Sequence, residues 1–419
     1  MSAHSIGYVA LLRSNRPFRH LWYGQIVSQL GDWFNSIALY TLLLRLTGSG
    51  QAVGLLLVAE LLPATLVGPW AGVLVDRLPR KHLMVLADVG RALLALLFLL
   101  VRDVGDIWIV YLVTVLKVVL AALFEPARSA VIPAVTTREE LVPANAISGA
   151  TWSAMLAIGA ALGGLVAGTL GTDAAFVIDA ASFLLSGVII WRIPIREEHL
   201  GARPTTSGVQ ELAEGVAYLR SRRDVALYAL AKALWSLGGG VLVLLTLFGR
   251  QIFPVGADGA LSIGLLYAAR GVGAAIGPLL AQRLGGASQT FLRRMIGPSI
   301  LCSALGYLLM SAAPSLWLAA LAVMLAHMGG STQWVFSTVL LQLNVPNRLL
   351  GRVFAAELAL LTLATAASSY VTGVAADAGW EPRALAVALA LVFVPPGLLL
   401  LLALWRRPRP SDAPEPVTG

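Results

Sequence analysis

Polar residues in this chain are largely confined to short intervals between long apolar runs. A bilayer-crossing helix needs about 20 mostly apolar residues. Such runs fall at 21–45, 51–75, 83–102, 107–124, 144–168, 174–191, 225–249, 261–281, 294–312, 316–341, 353–376 and 384–405. They predict twelve membrane-spanning helices, because a membrane β-barrel would instead show alternating segments of about 10 residues. Most connections are short. The exception, 192–224, holds Arg196, Glu197, Glu198, Arg203, Pro204 and Arg220 and separates six spans from six. Within it Val209, Leu212, Ala213, Val216 and Leu219 recur at helical spacing, with Gln210, Glu211, Glu214 and Arg220 off that face. This predicts an amphipathic helix on the inner membrane surface; the plainer alternative is a packed linker helix with no regulatory role.

Composition agrees with the pattern. Of 419 residues 58% are hydrophobic and 12% charged, and mean hydropathy is +0.81. Soluble proteins average about 45–50% apolar and about 25% charged residues, so a soluble enzyme is excluded. The single cysteine, Cys302, excludes an internal disulfide framework and cysteine-based metal clusters. Of the 30 basic side chains, Arg45, Arg102, Arg250 and Arg383 fall near the outer side and Arg91, Lys117, Lys232 and Arg270 within spans, leaving 22 in inner segments. The positive-inside rule then places both termini in the cytoplasm. It also explains the net charge of +8, so no nucleic-acid partner is expected. Arg13, Arg16 and Arg19 precede an apolar run that contains Asp32 and lacks an A-x-A-like site, which reads as a retained first span. The expected organisation is a cytoplasmic N-terminus at 1–20, a six-helix bundle at 21–191, a cytoplasmic linker at 192–224, a second bundle at 225–405 and a cytoplasmic tail at 406–419.

The halves echo one another. Gly68-Pro69 matches Gly277-Pro278, and Ser129 to Pro133 aligns with Thr338 to Gln342 at the same offset, as does Leu141 with Leu350. Parallel repeats of this kind occur in transporters that handle substrate between two halves near the midplane. Between the second and third spans, Gly72-Val-Leu-Val-Asp76-Arg77-Leu-Pro-Arg80-Lys81 places Gly72, Asp76 and Arg80 on one helical face. A glycine there permits close helix approach, and the aspartate can face the positive N-terminus of another helix.

That segment resembles the loop signature of the major facilitator superfamily, G-x-x-x-D-R-x-x-R-K. Phe18-Arg-His-Leu-Trp22, Gly24-Gln25 and Gly31-Asp32-Trp33 are similar to the opening of its macrolide-efflux-like and enterobactin-exporter-like branch of drug:proton antiporters. So are Ala87-Asp88-Val-Gly-Arg91-Ala92, Pro126-Ala127-Arg128-Ser129-Ala130, Ala144-Asn145-Ala146, Gln342, Val345-Pro346 and Gly351-Arg352-Val353. The resemblance covers about 18–405. It implies an all-α membrane protein whose twelve transmembrane helices form two pseudo-symmetric six-helix bundles, the major facilitator fold. Two departures stand out: Ala160 replaces the usual proline in Gly159-Ala-Ala-Leu-Gly163-Gly164, and Gly285-Gly286 replaces the acid that the repeat would set opposite Asp76.

Ionisable groups inside spans are costly and therefore functional candidates. Asp32 leads, about 11 residues or roughly 16 Å into the first span. It lies on a polar stripe with Gln25, Ser28, Gln29, Asn35 and Ser36, and such a stripe must face protein or a watery cavity. A carboxylate taken out of water holds a proton more readily, which suits proton coupling; a structural pair or cap is the alternative. Glu60 is a second proton site or a partner for Lys117. Lys117 shares a face with Tyr111 and Thr114. Lys232 lies near the inner end and can snorkel. Gln25, Gln29, Trp33, Asn35, Lys117, Arg270, His327 and Trp334 are expected to line a substrate cavity, with a lone His such as His327 more often a hydrogen-bonded core residue than a proton relay. Asp88 and Arg91 are spaced for a local pair, and Glu125 can reach Arg80. With Gly72, Asp76, Arg77 and Arg80 these form the expected gate, made and broken as conformations alternate. Gly271-Val-Gly273-Ala-Ala-Ile-Gly277 superficially resembles a dinucleotide fingerprint, but it follows no strand and lies in a span, so close helix packing explains it.

The sequence has no Walker loop and no convincing metal-ligand spacing, so no cofactor is expected. The leading expectation is a secondary transporter of the cytoplasmic membrane, a monomer in the bilayer, exporting a small amphipathic molecule against protons. A siderophore or lipid-like exporter, or a uniporter with structural carboxylates, is the alternative. A membrane-embedded enzyme or receptor would need a clustered catalytic constellation or a large soluble domain, and neither is seen.

Overall fold

A computed structural model describes residues 7–195, 208–286 and 288–405; the side chains at 69, 73, 76, 208–212, 347 and 348 are not described. Arg196, Glu197, Glu198, Arg203 and Pro204 of the linker, and the tail 406–419, lie outside the described residues. The described chain is helical and without strands. Its helices are α1 (Tyr8–Ser14), α2 (Arg16–Thr47), α3 (Gly50–Arg77), α4 (Arg80–Leu97), α5 (Ile107–Val135), α6 (Leu141–Thr169) and α7 (Thr172–Trp191). Then follow α8 (Gly208–Ser221), α9 (Arg223–Ser236), α10 (Val241–Leu247), α11 (Ala260–Gly285), α12 (Gln289–Ser311), α13 (Leu316–Asn344), α14 (Asn347–Asp377) and α15 (Pro382–Trp405).

Helix starts follow local chemistry. Asn15 caps α2 by accepting from Phe18 N, and Ser49, Ser288 and Ser315 do the same for α3, α12 and α13. Gly48, at φ 66°, ends α2 in the left-handed conformation that glycine adopts without strain. Several helices outrun the apolar runs that predict them: α5 reaches Val135 where the run stops at 124. At 1.5 Å per residue its 29 residues exceed the ~30 Å hydrocarbon core, so its end carries polar residues beyond the apolar part.

Among the described residues ten helical segments are long and apolar enough to cross a membrane. The two remaining predicted spans correspond to α2 and α13, helices of 32 and 29 residues. Gln25, Gln29, Asp32 and Asn35 dilute the apolar character of α2, and His327, Ser331, Thr332 and Gln333 that of α13. The seventh predicted span, 225–249, is not one continuous helix. It breaks at Gly238-Gly239-Gly240, between α9 and α10. In lipid the freed backbone groups must find partners within the protein, and α14 supplies them. Ser368 Oγ donates to Leu237 O at 2.6 Å and accepts from Gly240 N at 2.9 Å, while Ser369 Oγ donates to Gly239 O at 3.2 Å.

The chain forms two compact units. The first comprises the described residues of Met1–Thr205 with Phe248–Ala268, the second those of Thr206–Leu247 with Ala269–Gly419. In the first, α2 packs on α6 and α7, α4 on α5 and α7, and α3 on α5. Phe18, Leu21, Met84, Phe124, Val131 and Ile190 share one buried core there. Helices α6 and α11 touch at Gly164 and Gly264, where a Cβ on Gly164 would lie 2.7 Å from Gly264 Cα. Asp258 accepts from Arg250 at 2.9 Å, with Arg45 at 3.9 Å.

In the second unit α12 packs on α13 and α15, and α14 on α8 and α9. The fingerprint-like glycines are indeed packing positions: Gly273 and Gly277 lie against the carbonyls of Met324 and Met328 with no room for a Cβ. The linker helix α8 is also packed. Gly215 abuts the Arg352 carbonyl, and Glu214 pairs with Arg352.

Gly164→Leu should lower the thermal unfolding midpoint of the purified protein, since overpacking costs about 1–3 kcal/mol. Gly68→Ala, whose Cβ meets nothing within 4 Å, should leave it unchanged or raise it. Equal midpoints for the two variants would contradict the crossing described.

Candidate functional site

The polar stripe of α2 faces a cavity of about 630 Å³ in the first unit. Gln25, Gln29, Asp32, Trp33 and Ser36 line it from α2; Glu125, Arg128, Ser129 and Ile132 from α5; Asn145, Ser148, Gly149 and Trp152 from α6. The α2–α6 contact depends on small residues, because a Cβ on Gly159 would lie 2.9 Å from Trp33 Cβ and one on Gly163 3.0 Å from Trp33 O. The glycines of the sixth helix thus hold the indole next to Asp32 in place.

Several polar groups on and beside this wall are bonded to neighbours. Gln25 donates to Ser148 O at 3.0 Å and accepts from Arg128 Nη1 at 3.1 Å. Arg128 Nη2 donates to Glu125 Oε2 at 2.8 Å. Trp22 Nε1 donates to Thr151 Oγ1 at 2.7 Å. The carboxylate of Asp32 is different: it has neither a hydrogen bond nor an ion pair among the described residues. It is the acidic group on this wall without a bonded cation.

The other predicted residues are dispersed. Glu60 accepts from Tyr40 Oη at 3.1 Å, and the Tyr40 ring stacks on Tyr267 at 5.5 Å. Its expected partnership with Lys117 is not made, because Lys117 Nζ donates to Asp179 Oδ2 at 2.6 Å instead. Asn35 is buried in α2 and does not line the cavity. Arg270, His327 and Trp334 belong to the second unit. There His327 Nε2 and Tyr307 Oη are 2.7 Å apart, with Trp235 edge-on to the imidazole. Trp334 lies under Lys232 Nζ at 4.7 Å.

Lys232 does not snorkel. It donates to Glu357 Oε2 at 2.9 Å, both side chains 4% exposed. Burial across α9 and α14 makes a pair more favourable than an extended ammonium, since a lone charge there would be stranded.

Of the expected gate residues, Asp88 and Arg91 form the local pair predicted for them, both buried, the guanidinium 4.5 Å from the Phe124 ring centroid and 4.3 Å from that of Phe183. Glu125 bonds to Arg128, three residues on, rather than to Arg80; Arg80 Nη1 donates to Ala130 O at 3.3 Å. Arg77 is exposed. Gly72 makes no close helix approach, since a Cβ there meets nothing within 4 Å. The Asp76 side chain lies outside the described residues.

Sequence reasoning missed Asp179, although a carboxylate inside the sixth predicted span was a visible signal. It also passed over Ser148 and Trp152 as cavity groups. Arg128 and Asn145 are marked by the family resemblance alone, and Ser129 by the resemblance and the internal repeat.

Removing one member of the second unit's pair should expose its energetics. Lys232→Met strands Glu357 and should cost about 3–5 kcal/mol, while Lys232→Met/Glu357→Gln should recover most of it. Thermal unfolding of the purified variants checks this; a double variant no more stable than the single would contradict a buried pair.

Comparison with known proteins fits this geometry. Residues 7–413 match the family described as transmembrane secretion effector. An uncharacterized MFS-type transporter, YfiS of Bacillus subtilis (strain 168), is 29% identical over 50% of this chain and 51% of its own, so the match spans about half that relative's length. Macrolide efflux protein A of Streptococcus pyogenes is 27% identical over 86% of this chain and 89% of its own. Enterobactin exporter EntS of Escherichia coli O81 (strain ED1a) is 26% identical over 98% and 97%. The crystal structure of a POT family transporter in complex with 5-aminolevulinic acid superposes with a TM-score of 0.74 at 12% identity, covering 96% of this chain and 99% of that one; this supports the fold alone. The chain is a multi-pass membrane protein with the major facilitator fold, a transporter and not an enzyme, and it belongs to the transmembrane secretion effector family of the major facilitator superfamily.

Proposed function

We propose that this transporter exports a small amphipathic molecule across the cytoplasmic membrane in exchange for protons, with both termini in the cytoplasm and the monomer as the working unit. The observation that carries the reading is the Asp32 carboxylate, set in a polar and indole-lined cavity without a bonded cation. A carboxylate in that setting has one economical way to become neutral, which is to take up a proton. Trp33 and Trp152 offer apolar faces, and Gln25, Gln29 and Asn145 offer hydrogen-bonding groups, which together suit an amphipathic substrate. Substrate and proton then bias the same two-state equilibrium, as coupling requires. Glu60 serves as a second proton-binding group. Arg270, His327 and Trp334 remain substrate-cavity candidates, whereas Asn35 is off the cavity wall and Lys117 is bonded to Asp179. Gly72, Asp76, Arg77, Arg80, Asp88, Arg91 and Glu125 act as gate residues as the two six-helix halves, 21–191 and 225–405, alternate access.

Alignment over nearly the whole length of an enterobactin exporter favours a second reading, a siderophore or lipid-like exporter, in which the carboxylates are structural. The probes are therefore a macrolide and enterobactin, each tested in proteoliposomes with and without a proton uncoupler. Asp32→Asn should reduce proton-driven export of the transported probe to the level of empty vesicles while leaving expression intact. Substrate-dependent proton flux retained in that variant would overturn the coupling role. Export indifferent to pH and to the uncoupler would favour a uniporter.

A further inference from the structure

Behind the cavity wall lies a buried charge cluster that the proposed export mechanism has not used. Lys117 on α5 and Asp179 on α7 pair at 2.6 Å, their side chains 8% and 0% exposed. The second oxygen of Asp179, Oδ1, is buried without a hydrogen-bond partner. Such an oxygen bears a full desolvation penalty. It is directed at α2, because a Cβ on Gly31 would lie 2.9 Å from it. Gly31 immediately precedes Asp32, so the absent side chain brings the backbone of the cavity carboxylate alongside the pair.

The charged groups around Asp32 include Arg91, Asp179, Lys117 and Glu125, with Arg128 on the same cavity wall. Three of these are engaged with other partners. Glu125 is bonded to Arg128, and Arg91 to Asp88 between two phenylalanine rings. Glu60 faces the same ammonium from α3, hydrogen-bonded by Tyr40. Asp179, Asp32 and Glu60 therefore compete for one ammonium, which itself lies over the Phe183 and Phe98 rings at 5.2 and 5.6 Å. Lysine suits such sharing, being a point charge on a flexible stem.

We propose that the Lys117–Asp179 pair governs proton binding at Asp32, with the ammonium on Asp179 while Asp32 is protonated and moving toward Asp32 as the proton leaves. The proton passes between the Asp32 carboxyl oxygen and solvent reaching the cavity, and the only other change is the ammonium's partner. Lys117 and Asp179 are positioning residues. The inference rests on the proton-coupled reading of Asp32.

The test needs no substrate. The full chain, purified in detergent, is titrated with pH while the carboxylic C=O stretching band is followed by infrared difference spectroscopy. A band lost in Asp32→Asn reports that group. Asp179→Asn removes the competing anion, so its midpoint should fall by about one pH unit. Lys117→Gln removes the cation, so its midpoint should rise by about as much. Lys117→Arg should keep the wild-type midpoint, and Lys117→Gln/Asp179→Asn should titrate between the two single variants. If one single variant does not fold, the order of the double variant against the other still decides. Absence of an Asp32-dependent band, or variant midpoints that are unmoved or shift together, would overturn the proposal. Loss of proton-driven export as a function with these shifts intact would overturn the export reading and leave the pair's control of Asp32 standing.

Discussion

A charge inside a bilayer has no water to turn to, and this protein answers that constraint with paired side chains. Lys117 is held by Asp179, Lys232 by Glu357 and Arg91 by Asp88, all within helices and nearly all out of solvent. Each pair joins two helices or stiffens one, and aromatic rings surround the cations. Only against this paired background does Asp32 stand out. Its carboxylate is in the same electrostatic neighbourhood, yet its oxygens are left to the cavity.

The same absence of water governs the backbone. Three consecutive glycines interrupt the seventh predicted span, and serine hydroxyls of α14 take up the groups that the break releases. At other positions glycine serves packing. Gly159 and Gly163 admit Trp33, Gly31 admits Asp179 and Ser182, and Gly164 meets Gly264 backbone to backbone. Van der Waals contact of this kind is what holds helices together where lipid is as apolar as the side chains. The cavity wall thus depends on missing side chains as much as on present ones.

The repeat between the halves is one of sequence positions more than of local environments. Gly68 has open space beside it, whereas its counterpart Gly277 lies against the Met328 carbonyl. The buried lysine pairs are likewise built differently, α5 to α7 in the first unit and α9 to α14 in the second. The two units therefore carry distinct polar interiors.

Hydrophobic run length and charge placement determined the class of this protein, because the bilayer imposes a length on every span and charge is too costly to hide at random. The polar stripe on α2, the Asp88–Arg91 spacing and the packing glycines of α11 were legible for the same reason: each is a relation within one helix. Relations between helices were not. Nothing local tells Lys117 to choose Asp179, 62 positions away, over Glu60, or Lys232 to choose Glu357 over the membrane surface. Periodicity specifies which face of a helix is polar, but not which neighbour that face meets. Only the tertiary structure decided the ion pairs, the composition of the cavity wall and the break at Gly238, because each depends on helices brought together from distant parts of the chain.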